Sequence, residues 1–166
     1  MKTILITGGT VFVSRYAAEY FLRQGWQVSV LNRGTRPQPE GVEHIRADRH
    51  ALGDVLRRRF DAVLDVTAYT ADDVNALLDA LGGYGQYILI SSSAVYPETG
   101  AQPFREDAAV GPNAYWGRYG TDKIAAEQAL HARRPDAYIL RPPYLYGPGN
   151  NVYREAFVFD CALADR

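Results

Sequence analysis

Tyr119 and Lys123 stand four residues apart in YGTDK, so on a helix they share one face, a single turn apart. A phenol beside an ammonium can act as an acid or a base. An unperturbed tyrosine has a pKa of about 10, and bringing it to about 7 takes about 4 kcal/mol of extra phenolate stabilisation. Nearby cations can supply much of that. Three consecutive hydroxyls, Ser91, Ser92 and Ser93, follow the apolar run YILI and offer donors to a substrate oxygen. In a chain with 12 tyrosines a Tyr/Lys pair at this spacing can arise by chance, yet Tyr16 and Tyr115 have no Lys four residues on.

These groups act together only if the fold collects them, and the sequence supplies such a fold. Lys2 to Thr7, Gln27 to Leu31, Asp61 to Val66, Tyr87 to Ser91 and Ala137 to Arg141 read as short buried strands, with a weaker one near His44 to Arg46. Helical periodicity separates them. Val13, Tyr16, Ala17, Tyr20 and Phe21 form one apolar face, stopped at Gly25. Leu52, Val55, Leu56 and Phe60 predict a short helix. Val74, Leu77, Leu78 and Leu81 predict another, ended by Gly82 and Gly83, and residues 113–131 a longer one. Alternating strands and helices predict an α/β fold of the Rossmann type: a doubly wound parallel sheet, strand order 3-2-1-4-5-6, with helices on both faces. Ligands of such sheets bind at the carboxyl ends of the strands, which brings the loops after residues 7, 31, 46, 66, 91 and 141 to one side.

The first of those loops, TGGTVFVS, is a phosphate-cradling turn short of glycine. Counted as G-x-x-G-x-x-G from Gly8, Val11 takes the second glycine position and Ser14 the third. Ser14 is small enough to let the helix pack. Val11 is β-branched, resists positive φ and adds bulk toward the phosphates. The helix N-terminus still presents free N–H groups and a positive dipole end, so pyrophosphate contact is expected to be weakened or re-angled rather than lost. After the second strand, where an acid usually holds a ribose 2′-hydroxyl, stand Asn32, Arg33 and, further on, Arg36. Two guanidinium groups without a carboxylate favour a 2′-phosphate, hence NADP over NAD; a solvated basic loop is the alternative. Asp48 can accept from an adenine amino group or cap a following helix.

Totals narrow the function classes. The 166 residues carry a net charge of −1, which gives no basic field for nucleic acid or an anionic membrane. A single cysteine, Cys161, forms no internal disulfide or metal cluster, and no metal is expected. The apolar run before Gly8 is too short for a signal peptide, so a cytoplasmic location is expected. Val152, Ala156, Phe159 and Leu163 keep helical spacing to a chain end with no visible cap, as in a piece of a longer protein.

TGGTVFVS, SSSAVY, YGTDK and RPPYLYGPG, in this order, resemble the extended short-chain dehydrogenase/reductase family, the NAD-dependent epimerase/dehydratase group, across residues 2 to about 164. The resemblance implies a Rossmann domain over 1–150 and, in 151–166, only the start of a substrate-binding lobe that is otherwise largely absent. It implies NAD or NADP as cofactor and transient oxidation of a sugar, mostly within a nucleotide sugar. By position, Tyr119 matches the catalytic acid/base and Lys123 the residue that holds the nicotinamide ribose. Ser92 matches the catalytic hydroxyl, with Ser93 as its alternate. Gly8, Thr10, Phe12 and Val13 match the pyrophosphate turn, Asn32 and Arg33 the ribose side, and Asp48 an adenine contact. Thr67, Ala68 and Tyr69 match the loop along the cofactor. Ser91, Pro142, Pro143 and Tyr144 match the nicotinamide surroundings. The glycine losses and NRG at 32–34 resemble an atypical branch that includes chloroplast stem-loop RNA-binding proteins and poorly characterised bacterial relatives. A non-catalytic nucleotide sensor or RNA-binding protein on the same fold is therefore the competing expectation. The family also implies a homodimer through the segments 71–82 and 113–131.

Overall fold

The computed structural model describes residues 1–150, 152–153 and 155–164. Six strands run in the order β1 (Thr3–Thr7), β2 (Gln27–Asn32), β3 (Glu43–Arg46), β4 (Arg59–Asp65), β5 (Gly83–Ile90) and β6 (Tyr138–Leu140). All pairings are parallel, and the sheet order is β3-β2-β1-β4-β5-β6, as the alternation of elements predicts. The helices are α1 (Phe12–Arg23), α2 (Ala71–Ala80), α3 (Arg118–Arg133) and α4 (Glu155–Leu163).

Period-two alternation sends successive side chains to opposite faces. Ile4, Ile6, Val28, Val30 and Leu64 pack with Ala18 of α1 on one side. Leu5, Val63, Tyr87 and Leu89 pack with Val74, Leu77 and Leu78 of α2 and with Ala126 and Leu130 of α3 on the other. Strands covered on both faces read as nearly continuous apolar runs, which is why they are visible in the sequence.

Four expectations need correction. The helix over 52–60 is absent: residues 53–56 form turns and Phe60 belongs to β4. Leu52, Leu56 and Phe60 are buried as their spacing suggests, but Gly53 takes a φ of +51°, and β4 already begins at Arg59. With no helix there, Asp48 does not cap one; its carboxylate accepts from the His50 amide (2.9 Å) in a turn. The helix expected from residue 113 starts only at Arg118. Asn113 Oδ1 draws the Tyr115 and Trp116 amides into a turn (3.0 and 3.2 Å), and Gly117, at φ +49°, reverses the chain first. At the other end, β5 starts at Gly83, four residues before Tyr87. Of the segment 151–166, residues 151, 154, 165 and 166 lie outside the described residues.

One close approach sets where α3 lies. A Cβ on Gly120 would sit 2.5 Å from the Ala94 carbonyl oxygen, so only glycine lets the helix rest against the turn after Ser92. Gly120→Ala is expected to cost about 1–3 kcal/mol through this overlap, read as a lowered urea midpoint.

Candidate active site

The turn after β1 is built by two glycines of positive φ, Gly8 (+91°) and Gly9 (+84°). A Cβ on Gly9 would fall 2.5 Å from Val30, so the turn lies directly on β2. The Asn32 side-chain amide donates to the Gly8 carbonyl (2.6 Å), and its oxygen accepts from the Gly34 amide (2.8 Å). Asn32 therefore supports the turn from β2. Val11 does not carry the strain expected of it: it is extended, at φ −134°, and stands at the N-cap position of α1 without a capping side-chain bond. The left-handed residue is Phe12, at φ +43°, a conformation that costs a non-glycine residue on the order of 1 kcal/mol. No side chain caps α1, whereas α2 is closed by a reciprocal capping box between Thr70 and Asp73. The α1 N-terminus thus keeps its amides for an anion.

In front of the turn lies a cavity of about 930 Å³. Phe12, Val13, Tyr69, Ser91, Ser92, Tyr119, Lys123 and Pro142 of the expected site border it, together with Pro143 and Tyr144. Residues as far apart in the chain as Phe12 and Tyr144 thus share one hollow. Its remaining walls are mixed, with aliphatic Val66, Ile90 and Leu145, aromatic Phe104 and Trp116, and polar Ser93 and Gln102. Val11 does not block it. Val11 and Thr10 instead border a smaller hollow of about 500 Å³ with Arg15, Tyr16 and Arg36. Phe12 borders both. Gly8, Asn32, Arg33, Asp48, Thr67 and Ala68 line neither hollow; Arg33 and Asp48 are exposed on the loops after β2 and β3.

Lys123 is the most constrained polar side chain of the site. Only 2% of its surface is exposed. Its Nζ donates to the carbonyl oxygens of Ala68 (2.7 Å) and Ile90 (2.9 Å), and an ammonium has three protons to give. The rings of Tyr69 and Tyr119 lie 4.9 and 6.0 Å from Nζ. Burial brings the Lys123 pKa down to about 8, against a partial upward pull from Asp65 and Glu127. Tyr119 remains partly open to the cavity, with its ring beside Tyr69 and Trp116.

The three serines separate in role. Ser91 is buried and donates to Glu127, so it does not face the hollow as a free hydroxyl. Glu127 also holds Arg141 in a forked ion pair (2.7 Å at its shortest), and Arg141 precedes Pro142 and Pro143. Ser92 Oγ accepts from the Ala94 amide (3.2 Å), which leaves its proton for another acceptor. The Ser91–Glu127–Arg141 set was not legible beforehand; its one signal is that Glu127 continues the face of Tyr119 and Lys123 by one more turn.

The sheet order and the glycine turn define a Rossmann-type fold. The sequence matches the model of the NAD dependent epimerase/dehydratase family over residues 4–160, and the chain belongs to that family. It is 30% identical, over 99% of its length and 48% of the other chain, to the chloroplast stem-loop binding protein of 41 kDa b of Arabidopsis thaliana. It is 31% identical, over 87% of its length and 50% of the other, to dTDP-4-dehydrorhamnose reductase of Streptomyces griseus. The chain therefore spans about half the length of these relatives. Among solved structures, an NAD-dependent NDP-hexosamine 5,6-dehydratase, TunA, superposes with a TM-score of 0.80 at 21% identity, covering 91% of this chain and 57% of that one. A short-chain dehydrogenase/reductase superfamily protein of Agrobacterium tumefaciens with bound NAD gives 0.70 at 26% identity, covering 84% and 48%.

The lysine makes a pH test possible. The folded chain releases the Lys123 proton at about 8, and an unfolded chain near the ordinary 10.5. Between these values the unfolded chain holds more protons, so folding stability rises with pH there. The unfolding free energy of the native chain, relative to Lys123→Met, is expected to increase by up to about 3 kcal/mol from pH 8 to 10.5, measured by urea unfolding. A flat difference contradicts the buried ammonium.

Proposed function

We propose that this protein is an NAD(P)-dependent epimerase, dehydratase or reductase acting on a sugar, with a nucleotide sugar as its substrate class. The observation that carries the reading is the meeting of Ser92, Tyr119 and Lys123 on one cavity in front of an uncapped helix N-terminus. The groove suits a dinucleotide: the Gly8–Gly9 turn leaves no room for a Cβ against β2, the α1 amides suit a pyrophosphate, and apolar walls at Val13, Val66 and Ile90 suit a flat ring. When bound, the nicotinamide supplies the hydride chemistry. Tyr119 takes or gives the hydroxyl proton of the sugar carbon. Lys123, fixed by two carbonyls, stabilises negative charge as it develops on the phenol oxygen. Ser92 donates to the same substrate oxygen and fixes its direction.

Arg36, beside Thr10 and Val11, and Arg33 on the same loop support the 2′-phosphate of NADP. The exposed faces of α2 and α3 are the surface proposed for a homodimer, and the cytoplasm is the proposed location. Among the described residues, no helix is long and apolar enough to cross a membrane.

The stem-loop binding relative supports a second reading, RNA recognition. Against it, the run Arg57, Arg58, Arg59 offers little free charge: Arg57 pairs with Asp54 (2.8 Å) and Arg58 with Glu43.

Titration with NADPH and NADH, followed by nicotinamide fluorescence, separates the readings; binding of a hairpin RNA and of neither dinucleotide supports the second. In the full-length protein, Tyr119→Phe is expected to lower turnover by at least about a hundredfold with cofactor affinity nearly unchanged. Unchanged turnover removes the assigned role. Replacing Arg33 and Arg36 together by Ala is expected to weaken NADPH about tenfold and NADH less than about twofold; equal weakening rejects the 2′-phosphate assignment.

A further inference from the structure

Asp65, at the carboxyl end of β4, is fully buried. It accepts from Thr7 Oγ1 (2.8 Å), from Tyr87 Oη (2.6 Å) and from both terminal nitrogens of Arg49 (2.5 and 3.1 Å). Arg49 comes from the loop after β3, next to Asp48, and only 11% of its side chain is exposed. Its other bonds go to Thr67 Oγ1 (3.2 Å) and to the Asp73 carbonyl (2.8 Å). Its acceptors thus all lie on the segment that leaves β4 and enters α2.

That segment is held at every residue from 66 to 70. The Val66 and Thr67 amides donate to Thr7 Oγ1 (2.8 and 3.1 Å). The Ala68 carbonyl accepts from Lys123, and the Tyr69 and Thr70 amides donate to the Asp73 carboxylate (2.8 and 2.9 Å). His50, beside Arg49, pairs with the same carboxylate (3.0 Å). A buried ion pair is a poor way to gain stability, because apolar side chains of similar volume often serve as well or better. A planar guanidinium with several donors does give fixed orientation.

We propose that Arg49 is a positioning residue: from the loop after β3 it holds the segment 66–69, of which Val66 and Tyr69 border the main cavity, in the shape that receives the nicotinamide half of the dinucleotide. The assignment rests on the cofactor reading above. Arg49 touches neither substrate nor cofactor; it acts through Asp65 and Thr67. Its contribution is pre-organisation, since a loop ordered before binding does not have to be ordered by the ligand.

The test uses the full chain with two variants. Arg49→Lys keeps the charge opposite Asp65 and loses the fork. Thr67→Val removes a single bond and leaves the ion pair in place, so it keeps the question open to test if the first variant folds poorly. In the absence of ligand, amide hydrogen exchange at residues 67–70 is expected to rise about tenfold in Arg49→Lys and less in Thr67→Val, while Tyr87 and Leu89 in β5 change by less than about twofold. NADPH is expected to bind about tenfold more weakly to Arg49→Lys, and ADP, which lacks the nicotinamide half, less than about threefold. Equal losses for NADPH and ADP, or exchange that rises uniformly or not at all, overturn the assignment while leaving the cofactor reading intact. A native chain that binds neither NADPH nor NADH overturns the cofactor reading, and the assignment falls with it.

Discussion

A single ammonium ties the site together. Lys123 reaches from α3 to the main chain after β4 and at the end of β5, two neighbouring strands whose carboxyl ends form the floor of the groove. Withdrawing a cation almost completely from water is costly, and two carbonyl dipoles with nearby carboxylates offset that cost only where the geometry is right. The position of Tyr119 depends on the same bonds, because it lies one turn earlier on the same helix. The proposed chemistry and the architecture therefore share one side chain.

Two further polar sets buttress this point from opposite directions. Glu127, one turn after Lys123, fastens the serine segment and the end of β6 to α3 through Ser91 and Arg141. Asp65, in the strand beneath, fastens the loops after β3 and β4 to each other through Arg49. Both carboxylates are buried, and both are met by a guanidinium from a different strand connection. Strand ends diverge by nature, and each pair closes one gap between adjacent loops. Among the described residues, no buried side-chain nitrogen or oxygen lacks a partner, which is the condition under which such networks add rigidity rather than cost.

Much of the fold was legible because its central strands β1, β2 and β4 are buried on two faces and leave apolar runs, while its helices are buried on one face and leave a period. Where periodicity failed, local backbone chemistry decided. Leu52, Leu56 and Phe60 are spaced as on a helix because all three reach the core, but Gly53 turns the chain between them. Gly117 similarly delays α3 past Asn113. At the site, Tyr119, Lys123 and Ser92 were readable as a spacing and a motif. Arg49, Asp65, Glu127 and Arg141 were not, since their partners lie 14 to 58 residues away in the chain and only the sheet order brings them into contact. Asn32 was readable as the residue standing where an acid is usual, but its bond to Gly8 depends on how closely the turn lies on β2.

Phe12 holds a backbone conformation that its own side chain disfavours, and its ring is the common wall of the two hollows at the head of α1. Glycine there would ease the backbone but remove the one side chain that the two hollows share. Backbone comfort and compartment are in opposition at this one position.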